Sequence, residues 1–135
     1  MNECIFCKII AREMEAKILF ENEHTIAFLD LYPNSDGHSL VIPKKHFENF
    51  QETDDFYLSE VVKTKRIVTD LLNEKLNPVG FNFVSNQGVE AFQTVFHYHE
   101  HIIPKYHREK GLTFKVNKEV DDLDDLHNIH KKLKN

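Results

Sequence analysis

His97-Tyr98-His99-Glu100-His101-Ile102-Ile103-Pro104 is the stretch from which the rest of the chain is read. Histidine takes every second position in a strand-like run, and a period of two places alternate side chains on one face. The spacing predicts a strand over Phe96 to Pro104 with three imidazoles in a row, neighbours roughly 6.5–7 Å apart. Two chemistries suit such a row. Three histidines can hold a catalytic zinc with water in the fourth position. Alternatively, one imidazole attacks phosphorus while its neighbours supply protons and hydrogen bonds to the developing charge. Spacing alone does not choose between them. Just upstream, Asn86-Gln87-Gly88 and Gln93-Thr94 offer amide and hydroxyl donors, which suit phosphate oxygens better than zinc.

Working outward, the hydrophobic period changes along the chain. Residues Ile5 to Ala11 predict a short helix. Lys17 to Phe20 and His24 to Leu29, joined by Glu21-Asn22-Glu23, predict a hairpin. A turn cluster, Pro33 to Gly37, precedes a third strand, Ser39 to Ile42, stopped by Pro43. From Thr53, read as an N-cap, apolar residues at Leu58, Val61, Val62, Val68 and Leu72 predict a long helix that ends before Pro78. Phe81 to Asn86 alternate as a fourth strand, and the histidine run is the fifth. Asp121 to Leu133 predicts an amphipathic helix, acidic at its front and basic at its rear, packed onto the body by Leu123, Leu126, Ile129 and Leu133. The fold class is therefore α+β: a mainly antiparallel five-stranded sheet with one long helix and short terminal helices.

A chain of 135 residues is expected to form one domain, spanning 1–135, with its core at about 4–108 and an extension carrying the last helix at about 121–134. Seventeen Lys and Arg against 22 Asp and Glu give a net charge of −5. That balance argues against a general binder of nucleic-acid polymers, which must neutralise phosphates. No run of about eighteen apolar residues predicts a membrane span. The two cysteines, Cys4 and Cys7, are too close to form a useful disulfide scaffold. With no apolar signal core in MNECIFCKIIAR, a cytoplasmic protein with reduced thiols is expected.

Taken together, Cys4-Ile5-Phe6-Cys7-Lys8-Ile9, Ala27-Phe28-Leu29-Asp30, Gly37 to His46, Asn86-Gln87-Gly88 and Gln93 to Pro104 resemble the histidine triad family, in its order and approximate spacing. Only the tail beyond Arg108 lies outside the resemblance. The resemblance is to the branch of small nucleotide-binding proteins that act on purine nucleoside phosphoramidates, dinucleoside polyphosphates and related adenylates. It implies that His99 is the nucleophile at the α-phosphorus, giving a nucleotidyl-imidazole that water resolves. It implies that His101 hydrogen-bonds the phosphate and leaving group and that His38 helps relay the proton. Asn86, Gln93 and Thr94 match positions that bind phosphate oxygens or the leaving group, His97 is implied as a further substrate-binding residue, Asp30 matches the acid that takes the ribose hydroxyls, and Phe28 and Leu31 match the base pocket. A homodimer through a two-fold interface is implied as well. The chain departs from the family pattern twice: Glu100 stands where an apolar residue is usual, and Phe92 where glycine is common.

Cys4-x-x-Cys7 reads as a redox dithiol, half of a structural zinc site, or an incidental pair. The βαβ pattern that accompanies a redox pair is missing. Some relatives pair such cysteines with a later histidine and the first triad histidine around zinc; here the resemblance implies Cys4, Cys7, His46 and His97, a closed set. Two other readings remain beside the enzyme: a nucleotide-binding regulatory module with little turnover, and a metalloprotein whose three strand histidines share a catalytic metal.

Overall fold

Ile26, Phe28, Leu40 and Ile42 alternate with Ala27 and Val41 in two paired segments, and all six are buried, so both faces of the sheet centre must be covered. The computed structural model, which describes residues 3–134, shows how. Strands β1 (Ile18–Glu21), β2 (Thr25–Leu29), β3 (Ser39–Pro43), β4 (Gly80–Val84) and β5 (Glu100–Lys105) form one antiparallel sheet in the order β1-β2-β3-β5-β4. Helix α1 (Ile5–Ile10) covers one face: Phe6 and Ile9 pack on Ile26, Phe28, Leu40 and Ile42. Helix α2 (Asp55–Leu76) covers the other, where Val61, Val68 and Leu72 pack on Ala27, Val41, Tyr98 and Ile102.

Register carries this division to the histidine run. Leu40 lies opposite His101 and Val41 opposite Glu100. Directly opposed residues share a face, so His101 belongs to the α1 side and Glu100 to the α2 side. Each buried Leu, Ile, Val or Phe side chain on these faces contributes about 1.5–3 kcal/mol, and a one-residue slip would exchange the two faces.

Three expectations are corrected. The fifth strand begins at Glu100 rather than Phe96; the amide of Tyr98 bonds the Phe47 carbonyl at 2.7 Å instead of entering the ladder. The N-cap of α2 is Asp54, whose carboxylate accepts from the Tyr57 amide at 2.9 Å, while the Thr53 hydroxyl donates to the Asn49 carbonyl at 2.7 Å. The last helix, α3 (Leu126–Leu133), starts at an Asp125 cap rather than near Asp121, and none of its residues is buried. Its stripe, Leu126, Ile129 and Leu133, is exposed instead of packed on the body. At the end of α2, Asn77 takes the left-handed conformation that closes helices, ahead of Pro78. No described helix is long and apolar enough to cross a membrane.

Candidate active site

Two clusters and a pocket meet where α1 crosses the ends of β2, β3 and β5. His97, the first of the alternating histidines, is fully buried and donates from Nε2 to the Pro43 carbonyl at 2.9 Å. Its Nδ1 is therefore the unprotonated nitrogen. That nitrogen lies 3.4 Å from Cys4 Sγ, 3.6 Å from Cys7 Sγ and 3.1 Å from His46 Nδ1, and Cys7 Sγ is 3.3 Å from His46 Nδ1. Two sulfurs and two nitrogens thus converge within 4.8 Å of one another. Cys4 is already fixed there, because its sulfur caps α1 by accepting from the Cys7 amide at 3.2 Å. Burial and the neighbouring Cys4 push the Cys7 thiol up to about 11. Burial pulls His97 down to about 4. A divalent cation reverses the first effect by binding thiolate, and the second leaves a neutral imidazole as a metal ligand requires. The donor set fits a tetrahedral zinc.

His99 turns into a different environment. Its Nδ1 donates to the His97 carbonyl at 2.7 Å, so in the neutral ring Nε2 carries the free lone pair. The edge of Phe6 holds the ring in place, centroids 5.1 Å apart at 84°. Burial pulls the His99 pKa below its ordinary value, which keeps the ring a free base at neutral pH.

His101 and His38 form a directional pair. The Asn34 amide donates to His38 Nδ1 at 3.0 Å, so neutral His38 carries its proton on Nε2. That nitrogen stands 3.0 Å from His101 Nδ1 and 3.4 Å from Asp30 Oδ2. His101 Nδ1 is then an acceptor, and neutral His101 presents Nε2–H as a donor. Burial, then the neighbouring His99 and His38, pull His101 down to about 4; burial also lowers His38. Asp30, His38 and His101 lie close enough to suggest metal ligands, but the proton on His38 Nε2 points into the cluster, which makes it a hydrogen-bonded relay. The three strand histidines do not share one ligand cluster among the described residues. This removes the geometric basis for a single three-histidine metal.

His99 and His101 form one wall of a cavity of about 250 Å³ whose apolar lining includes Phe28, Leu40 and Ile9, with Asp30 at its rim. Leu31 also borders it but is 76% exposed, so it sits at the mouth rather than inside. Asp30 serves two structures at once: Oδ1 accepts from the Tyr32 amide at 2.9 Å, a turn contact, while Oδ2 faces His38. Thr94 is exposed at the pocket edge.

The loop before the histidines departs from expectation at Gln93. Its side chain is buried and fully engaged within the protein: Oε1 accepts from the Gly88 amide at 2.9 Å, and Nε2 donates to Glu48 and Val95 carbonyls at 2.8 and 3.1 Å. Gln93 shapes the loop and has no spare group for phosphate. Asn86 makes only a long 3.5 Å contact to the Phe92 carbonyl. Phe92 takes φ 72°, ψ 23°, the left-handed region that favours glycine.

Several contributors carry no signal of their own in the sequence. Asn34 acts through its main-chain N–H, and Phe6 reads as an ordinary core residue. Glu100 does have partners: Tyr98 donates from its hydroxyl at 2.6 Å and Lys65 at 3.2 Å. Burial and Glu100 together push the Tyr98 phenol up. Lys65 could have been found as the α2 residue one turn from the buried Val61 and Val68.

Residues 11–108 match the family model described as HIT domain. The chain is 45% identical over 117 residues to an uncharacterized 16.1 kDa HIT-like protein of Mycoplasma pneumoniae, covering 87% of this chain and 81% of that protein. It is 38% identical to an adenosine 5'-monophosphoramidase of Candida albicans, covering 97% and 89%. A crystal structure of a HIT family member from Bacillus subtilis superposes with a TM-score of 0.88 at 38% identity, covering 98% of this chain and 95% of that one.

Proposed function

The chain belongs to the HIT domain family, and from that premise we propose that it is a nucleotide hydrolase or transferase acting at the α-phosphate of purine nucleoside phosphoramidates, dinucleoside polyphosphates or related adenylates. The observation that carries this reading is the His99 tautomer: Nδ1–H is committed to the His97 carbonyl, and the opposite nitrogen is a free base at the wall of an apolar pocket. Support also comes from the phosphoramidase activity named for the Candida albicans relative.

The base lies against Phe28, and Asp30 accepts from the ribose hydroxyls once its oxygens turn to the substrate. The His99 Nε2 lone pair forms a bond to the α-phosphorus as the bond to the leaving amine or phosphate breaks. The leaving group takes a proton from His101 Nε2–H while the His38 Nε2 proton passes to His101 Nδ1 along the 3.0 Å contact and His38 Nε2 takes one from solvent past Asp30, so both rings stay neutral. Water then attacks the same phosphorus and gives its proton to His101 Nε2, the bond to His99 breaks, and one proton passes back through the pair to solvent. The His97 carbonyl, accepting from Nδ1–H, stabilises the charge that His99 gains while it holds the phosphoryl group. Thr94 and Asn86 contribute donors to the phosphate oxygens.

Cys4, Cys7, His46 and His97 would hold a zinc ion, which supplies a closed structural crosslink between α1 and the loops around His46 and His97 with no open position for chemistry. A homodimer is part of the same proposal. Its support is the unpaired outer edge of β4 and the exposed Phe83 and Val62 beside it. A cytoplasmic setting, in which the thiols stay reduced, suits this site.

Incubating the protein with adenosine and guanosine phosphoramidates and dinucleoside polyphosphates tests the activity. Release of the nucleoside monophosphate from at least one class is expected. Tight nucleotide binding with no turnover of any would replace the enzyme by a binding module.

A further inference from the structure

The family match ends at residue 108, yet the residues just beyond it reach back to the turn that presents His38. Lys105, the last residue of β5, donates from Nζ to the carbonyls of Lys110 and Leu112, which folds the intervening chain into a tight loop. At the tip of that loop Gly111 takes φ +79°, and a Cβ built there would stand 2.4 Å from the Asn34 carbonyl oxygen. Only glycine permits that backbone-to-backbone approach. Two further bonds fasten the same turn: the Tyr106 hydroxyl donates to the Asp36 carbonyl at 2.7 Å, and the Ser35 hydroxyl donates to the Pro104 carbonyl at 2.5 Å. The turn held this way contains the Asn34 N–H that fixes the His38 tautomer at 3.0 Å.

We propose that residues 105–112 form a clasp that positions the proton relay, with Lys105 and Gly111 as positioning residues that act through Asn34 on His38 and so on His101. Neither touches the pocket. The kinetic consequence rests on the hydrolase reading above, whereas the effect on His38 does not. Relay geometry matters because a displacement of about 1 Å in a catalytic array can lower a rate by roughly a hundredfold.

Two readouts test the clasp in the full chain: the imidazole nitrogen resonances of His38 by NMR, and kcat and KM for an adenosine phosphoramidate. Wild-type His38 should show one neutral tautomer protonated at Nε2. Gly111→Ala should move these resonances towards a tautomer mixture and lower kcat roughly ten- to a hundredfold, with KM within about twofold. Lys105→Met should shift both readouts the same way, and Lys105→Arg should restore them. Folded Gly111→Ala and Lys105→Met proteins with unchanged His38 resonances and unchanged kcat would overturn the proposal. If Gly111→Ala does not fold, the Lys105 pair decides by the same readouts. If the wild type turns over no nucleotide, the functional reading fails on its own, and the His38 resonances alone decide the clasp: moved, it stands; unmoved, it falls.

Discussion

Replacing His99 by alanine removes the attacking nitrogen but leaves Asp30 and the apolar wall in place. His99→Ala should therefore abolish turnover while retaining nucleotide affinity, measured by calorimetry beside a rate assay. Asp30→Ala should mainly raise KM, because ribose contacts are shared by ground and transition states. The pH response of stability follows from His101, which is held down at about 4 mainly by burial. Between about 4 and the ordinary histidine value of about 6.5 the unfolded chain binds more protons than the folded one at this position, so its contribution is intact above that window and is lost as pH falls through it. His101→Asn should flatten the slope of unfolding free energy against pH in that window by up to about 1.4 kcal/mol per pH unit. An unchanged slope would show that His101 does not titrate as described. Phe92 is a strained residue with little packing to lose: its ring is 81% exposed and its backbone is left-handed. Phe92→Gly should stabilise the protein by about 1 kcal/mol in urea unfolding; destabilisation would mean that the ring makes a contact in solution.

At the level of elements, the polar network under the histidine strand replaces an apolar contact between β5 and α2. Lys65→Met should destabilise the fold by about 1–3 kcal/mol, since the half-buried Glu100 would keep only Tyr98 as a partner. Adding Glu100→Leu and Tyr98→Phe, which removes the hydroxyl that would lose its acceptor, should restore most of that loss, because apolar groups can replace a buried ionic network at little cost. A triple variant as unstable as the single would contradict this. The central strands and α2 were legible because burial on two faces writes itself into short unbroken apolar runs such as Ile26 to Leu29 and Leu40 to Ile42, and burial on one face into helical spacing. Where β5 begins was not, because the alternation of His97, His99 and His101 continues through Tyr98, whose amide bonds the Phe47 carbonyl outside the ladder. Thr53 and Asp54 are both cap formers, and only the position of the Asn49 carbonyl separates them. Helix α3 has the stripe of a packed helix, but nothing in a stripe says which surface will receive it. Gln93 was legible as polar and near the site, not as a residue whose three bonds are spent on Gly88, Val95 and the distant Glu48 carbonyl. Asn34 was hidden altogether, because a main-chain N–H leaves no mark in residue type.

For the whole molecule, the separation of the histidines is the main result. His97 turns to the cysteines, His99 to the pocket and His101 to His38, so three residues that look equivalent in sequence have three environments. Elemental analysis of protein purified without chelator should find about one zinc per chain, and chelation should lower the melting temperature more than it changes the rate of any molecules that stay folded; metal-free protein of undiminished stability would remove zinc from the account. The central claim is that His99 attacks phosphorus and that the reaction therefore passes through two displacements. Each in-line displacement inverts the phosphorus centre, so two restore it. The most direct test is the hydrolysis, in water labelled with heavy oxygen, of an adenosine phosphorothioamidate of single configuration at phosphorus. Net retention in the product is expected, whereas inversion would show that water attacks directly and would contradict a nucleotidyl-His99 intermediate.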